Sequence, residues 1–182
     1  MIRRSALATL SPVNVVRNAL TGAVAGAIAT AAMDLVWYRR YQADGGEERF
    51  PAWEFSSSAR GFGEDAPAPA RVGKRIADGV GVDLPDTLAP ATNNIVHWLT
   101  GLGWGKLGGL AAGILPVPAV ATGIGTGVTA WAASYAALGR LGIYKPIGEY
   151  DGETLWKDLS AHLVYGATLG AVLTIGRVRR RS

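Results

Sequence analysis

The sequence predicts an all-α integral membrane protein, a four-helix bundle with a long polar loop between its first two helices. Three observations predict it. Hydrophobic residues make up 49% of the chain and charged residues 18%, and the charges gather in two loops and two tails, leaving uncharged windows long enough to cross a bilayer. Glycine is abundant, at 25 residues, and inside those windows it recurs every fourth position. Small residues four apart let helix backbones approach in lipid, where the hydrophobic effect gives helices no reason to associate. The third observation is where the net charge of +4 lies: Arg3, Arg4 and Arg17 near one end, Arg177, Arg179, Arg180 and Arg181 at the other. Basic tails on an apolar chain fit the cytoplasmic bias of Lys and Arg. They form no stripe with interleaved aromatics, so nucleic acid is not an expected partner.

Taken in order, Ser11-Pro12 supplies an N-cap and a first helical residue. The first span follows at about 18–38, interrupted in charge only by Asp34 and ended by Trp37-Tyr38-Arg39-Arg40, an interfacial anchor. Ala29-Thr30-Ala31 resembles a signal-peptide cleavage site, but the small-residue pattern and the aromatic end favour a span. Residues 39–92 form a polar loop rich in Pro and Gly. Within it, Phe50-Pro51-Ala52-Trp53-Glu54-Phe55 is aromatic enough to touch headgroups, and Val72, Ile76 and Val80 mark a short amphipathic helix that lies on the membrane or caps the bundle. A second span at about 95–115 contains Lys106, off the glycine row and placed to snorkel as an anchor. Pro116 and Pro118 turn the chain into a third span at 117–139, which carries no charge. A second loop, 140–155, leads to a fourth span at 156–176. An even number of spans puts both termini on one side, the cytoplasm by the positive-inside rule, and both long loops outside.

The small-residue ladders are Gly22 and Gly26, Gly101, Gly105 and Gly109, Gly123 and Gly127, and Gly166 and Gly170. Their expected role is helix packing, not chemistry. Thr21-Gly22 through Gly26 matches Thr122-Gly123 through Gly127, and His-xxx-Gly-xxx-Gly occurs at His97 and again at His162, so the spans read as two tandem hairpins.

Three of the four ladders continue into a polar residue. Asp34 is the next step of four after Gly22, Gly26 and Thr30; His97 precedes Gly101; Asp158 and His162 precede Gly166 and Gly170. All four ionisable groups fall near the outer ends of their spans, with Tyr165 and Asn93-Asn94 close by. Ionisable residues inside spans are costly and mark functional candidates. Such a set can carry protons or ions, bind a divalent metal, or hydrogen-bond across helices as structural glue. No organic cofactor is expected. There is no Ser/His/Asp arrangement and no phosphate-cradling loop, so an enzyme is not expected. The absence of cysteine removes disulfides, thiol nucleophiles and iron–sulfur clusters.

Gly-Ala-Val-Ala-Gly at 22–26 with Met33-Asp34, His97-Trp98-Leu99-Thr100-Gly101, and Asp158 through His162, Tyr165 and Gly166 together resemble the YagU-like family of small bacterial inner-membrane proteins. The resemblance covers the four spans and implies a multi-pass protein of the inner membrane, with His97 and His162 in equivalent roles. Gly108-Gly109 departs from the Tyr-Gly type pair that the family implies. Expected partners are the lipid bilayer and either a second copy or another membrane protein, with 39–92 as the partner-binding surface in an accessory-subunit reading.

Overall fold

The computed structural model describes residues 11–56 and 59–178. Among them there are helices and turns and no strand. The helices are α1 (Pro12–Ala43), α2 (Phe50–Ser56), α3 (Ala68–Gly79), α4 (Ala89–Ile114), α5 (Ala119–Arg140) and α6 (Gly152–Val178), with short 3-10 turns at Asp86–Leu88 and Ile147–Glu149. The basic residues Arg3, Arg4 and Arg179–Arg181, on which the cytoplasmic placement of the tails rests, lie outside the described residues.

The helices outrun the spans that hydropathy marks, because capping decides where they start. Asn14 N donates to Ser11 Oγ at 3.4 Å, and Pro12, with no N–H to satisfy, takes the first helical position. At α6, Asp151 accepts from Thr154 N at 2.8 Å and from Thr154 Oγ1 at 2.7 Å, so the helix begins before Trp156. By length and mean hydropathy, two helices can cross a membrane: α1 and residues 152–176 of α6. The expectation of four spans narrows to two on that criterion. α4 and α5 have 26 and 22 residues, but Gly, Thr, Asn and Trp dilute their apolar content. The loop 39–92 is not one open connection either; α2 and α3 lie within it.

The chain divides into two compact units. The first contains the chain up to Met33, Gly101–Ala132 and the chain from Trp156. In it α1 and α4 run antiparallel with their backbones in contact. A Cβ added to Gly105 would stand 2.5 Å from Gly22 O and from Gly26 Cα, and one on Gly26 would stand 2.7 Å from Gly101 O. α5 and α6 repeat the pattern: a Cβ on Gly166 would lie 2.6 Å from Gly123 O, and one on Gly170 2.6 Å from Val120 Cα. No flexible side chain stands there to give way. Glycine is required at these four crossings because backbone meets backbone.

The core left between such close helices has room mostly for small side chains. It consists of Ala25, Ala29, Ala112, Ala119, Tyr165, Leu169 and Leu173, with Met33, Trp104 and Val172 packed against it. Tyr165 Oη donates to Gly101 O at 2.6 Å and joins α6 to α4. Thr30 Oγ1 donates to Gly26 O at 2.9 Å, and its side chain stands over the space that the missing Cβ of Gly101 leaves. Large aliphatic residues of α1 face the other way, with Val13, Leu20 and Val24 each more than 60% exposed.

The second unit contains Asp34–Thr100 and Ala133–Leu155. Here α3 docks through its small residues, not through the apolar stripe read from the sequence. Gly73 lies against Thr92 and Val96 of α4, and Ala70 is fully buried with Ala59 and Ala89. Ile76 and Val80 are 62% and 73% exposed. Arg71 donates to Ile143 O at 2.7 Å and to Gly142 O at 3.4 Å, and Arg75 donates to Leu141 O. Two guanidinium groups thus satisfy carbonyls just past the C-terminus of α5, where the helix dipole favours positive charge. Gly142, at φ 64°, makes the turn there, which a side chain would strain. Within this unit α3 therefore contacts both α4 and the turn that follows α5.

Candidate functional site

The glycine register that packs α1 on α4 sets up the site. Every four residues forward on α1 corresponds to four back on α4: Gly22 meets Gly105 and Gly109, Gly26 meets Gly101 and Gly105, and Thr30 meets Gly101. In the second unit, Asp34 of α1 meets His97 of α4, with Oδ1 2.8 Å from Nε2. Asp34 is 4% exposed, and its Oδ2 is buried with no hydrogen-bond partner in the protein. His97 is less enclosed, with 25% of its side chain exposed. One helical turn earlier, Asn93 Oδ1 is also buried without a partner, while Asn94 turns its amide to Pro90 O of its own helix at 3.2 Å.

A third ionisable group belongs to this site and was not legible as such in the sequence. Glu54 of α2 accepts from Trp98 Nε1 at 3.0 Å, and Trp98 follows His97 on α4. Its carboxyl is held above the usual range, first by burial and then by the negative charge of Asp34, while the Trp98 hydrogen bond and the charge of His97 pull it down. α2 is held in place by aromatic packing: Tyr38 stands 5.3 Å from Phe50 and 5.4 Å from Trp53, ring centre to ring centre, and Tyr38 Oη donates to Glu48 O at 2.9 Å. The signal that could have pointed to Glu54 is a single carboxylate between Trp53 and Phe55, in a segment aromatic enough to pack.

Asp158 and His162 pair within α6, in the first unit. His162 Nδ1 lies 2.9 Å from Asp158 O and 3.3 Å from Asp158 Oδ1. A carbonyl oxygen only accepts, so Nδ1 carries the hydrogen. Tyr165 joins neither ion pair; its hydroxyl goes to Gly101 O. The expected constellation of Asp34, His97, Asp158 and His162 is therefore distributed as one interhelical pair in one unit and one intrahelical pair in the other. Among the described residues, no group of three or more His, Cys, Asp or Glu side chains gathers in a way that could hold a metal ion.

The packing register also corrects the expected equivalence of the histidines. Gly22 contacts Gly105 and Gly109 as Gly123 contacts Gly166 and Gly170, and Gly26 contacts Gly101 O as Gly127 contacts His162 O. His162 thus corresponds to Gly101, and Asp158 to His97. The physical reason is that backbone approach at glycine sets the register. A shared His-xxx-Gly spacing does not.

The site's polar groups are consequently a buried carboxylate with one free acceptor, an imidazole bonded to it, and a half-sheltered carboxyl latched by an indole N–H. That arrangement can accept, store and pass a proton. No family model matches the chain, and neither curated proteins nor solved structures provide a match.

Proposed function

We propose that the chain is a polytopic membrane protein in which α1, α4, α5 and α6 cross the bilayer and the Asp34–His97 pair handles protons near its outer face. The observation that carries the proton reading is Asp34 Oδ2, buried in a helix–helix contact with no donor, on a carboxylate whose other oxygen meets an imidazole. A buried carboxylate oxygen without a partner is expensive, and a donor brought to Oδ2 relieves that cost. The membrane reading is supported by an inverted packing order. Gly, Ala and Thr face inward while Leu, Ile and Val of α1, α4 and α5 face outward, as lipid contact favours. The motif likeness to YagU-like inner-membrane proteins points the same way.

The test is titration in lipid nanodiscs with 15N-labelled histidine, followed together with the infrared band of a protonated carboxyl. The chain has two histidines, so His97→Gln identifies the His97 signal. The expected outcome is a His97 ring signal and a carboxyl band that change in one coupled pH step, the band being absent in Asp34→Asn. A His97 signal constant from about pH 5 to 9 would refute proton handling.

A structural reading has its own support at the other polar residues. Tyr165 bonds a backbone carbonyl of α4, as interhelical glue requires, and Asp158–His162 closes within one helix and takes no part in an interhelical relay. Under it, changes at His97 alter stability alone, and the exposed Phe55, Ile76 and Val80 of the 39–92 segment serve for partner binding.

A further inference from the structure

Glu54 lies beside the buried pair: Asp34 is buried, whereas His97 and Glu54 are both partly exposed. Asp34 has 5% of its side chain exposed and His97 25%; Glu54 is partly exposed on a helix whose next residue, Phe55, is 70% exposed. The Trp98 indole holds the Glu54 carboxyl at 3.0 Å, and Trp98 is the chain neighbour of His97. Glu54 interacts electrostatically with both members of the pair: Asp34 from α1 and His97 from α4. α2 itself carries no other ionisable side chain. Trp98 donates one hydrogen and cannot accept, so its bond orients the carboxyl without taking its proton.

From this geometry we infer that Glu54 is the proton-exchange residue of the site, a portal through which protons pass between solvent and the His97–Asp34 pair. The inference rests on the proton-handling reading of that pair. In the inward step, Glu54 takes a proton from water and delivers it, directly or through one water, to the imidazole nitrogen not bonded to Asp34. The imidazolium then releases its Nε2 proton to Asp34 Oδ1, leaving neutral His97, protonated Asp34 and an ionised Glu54 ready to be recharged. One proton enters and one is stored. The raised affinity of Glu54 for its proton suits the task, since a relay carboxyl works best when its proton is neither always lost nor always kept.

Glu54 is a relay residue and Trp98 a positioning residue, and solvent exchange of the His97 ring hydrogens reads both. In nanodiscs, Glu54→Gln is expected to slow that exchange about tenfold or more, and Glu54→Asp to restore most of it. Trp98→Phe, which keeps the carboxyl and removes its latch, slows exchange too, and serves where Glu54→Gln does not fold. Wild-type exchange in Glu54→Gln, with the Asp34–His97 bond still visible in the ring shifts, overturns the portal and leaves proton handling standing. Wild-type exchange in Trp98→Phe likewise overturns the portal. A His97 that does not titrate in the unaltered protein removes both readings together.

Discussion

Two side chains at the residue scale separate packing from chemistry. Tyr165 is 3% exposed and spends its hydroxyl on Gly101 O. Tyr165→Phe keeps the ring and loses the bond, so it should lower stability by about 0.5–1.5 kcal/mol, measured by unfolding in mixed micelles. Glu54 carries the opposite sign. Its carboxyl is raised from the ordinary value of 4.5, mainly by burial. A group with a raised folded value contributes its full stability below the unfolded value and loses it as pH rises through the folded one. Glu54 is thus least favourable when ionised at neutral pH. Glu54→Gln, whose amide oxygen still accepts from Trp98, should match the wild type near pH 4 and melt higher at about pH 7. Equal differences in melting temperature at both values would contradict a burial-raised carboxyl.

Helices are the scale at which the glycines act. Gly105 faces the α1 backbone at Gly22 and Gly26, whereas Gly103, two residues earlier on α4, has nothing within 4 Å of its would-be Cβ. Gly105→Val should separate α1 from α4 at a cost of about 1–3 kcal/mol or more, because only backbone could move. Gly103→Val on the open face should stay within about 0.5 kcal/mol of a Gly103→Ala reference. Cross-linking between α1 and α4 reads the difference directly. If Gly103→Val proved as damaging as Gly105→Val, helix propensity and not close approach would be the explanation. The same logic explains why α3 docks through Ala70 and Gly73 while Ile76 and Val80 stay outside: small residues allowed two Arg side chains to reach the end of α5.

The whole molecule is where the four-span reading is tested. The chain has no cysteine, so single introduced cysteines report without background. Glu47→Cys and Gly148→Cys lie in the two long loops, and Leu115→Cys in the turn between α4 and α5, all at exposed positions. Four spans predict that a membrane-impermeant maleimide labels the first two from outside intact cells and labels Leu115→Cys only after permeabilisation. Labelling of all three from one side would leave at most α1 and α6 as spans. The reversed pattern would keep four spans and turn the site toward the cytoplasm.

Hydropathy and four-residue spacing made the long helices legible, because both are local properties of a chain that buries small residues and exposes large ones. The glycine ladders were legible for the same reason, as was the placement of Asp34 and His97 on ladders. Two things were decided by tertiary structure alone. Backbone approach at glycine set a register that pairs His162 with the place of Gly101, which no motif spacing encodes. Glu54 reached the site because an aromatic cluster folds α2 back onto α1, and a contact between residues 54 and 98 depends on how the chain closes, not on any pattern within it.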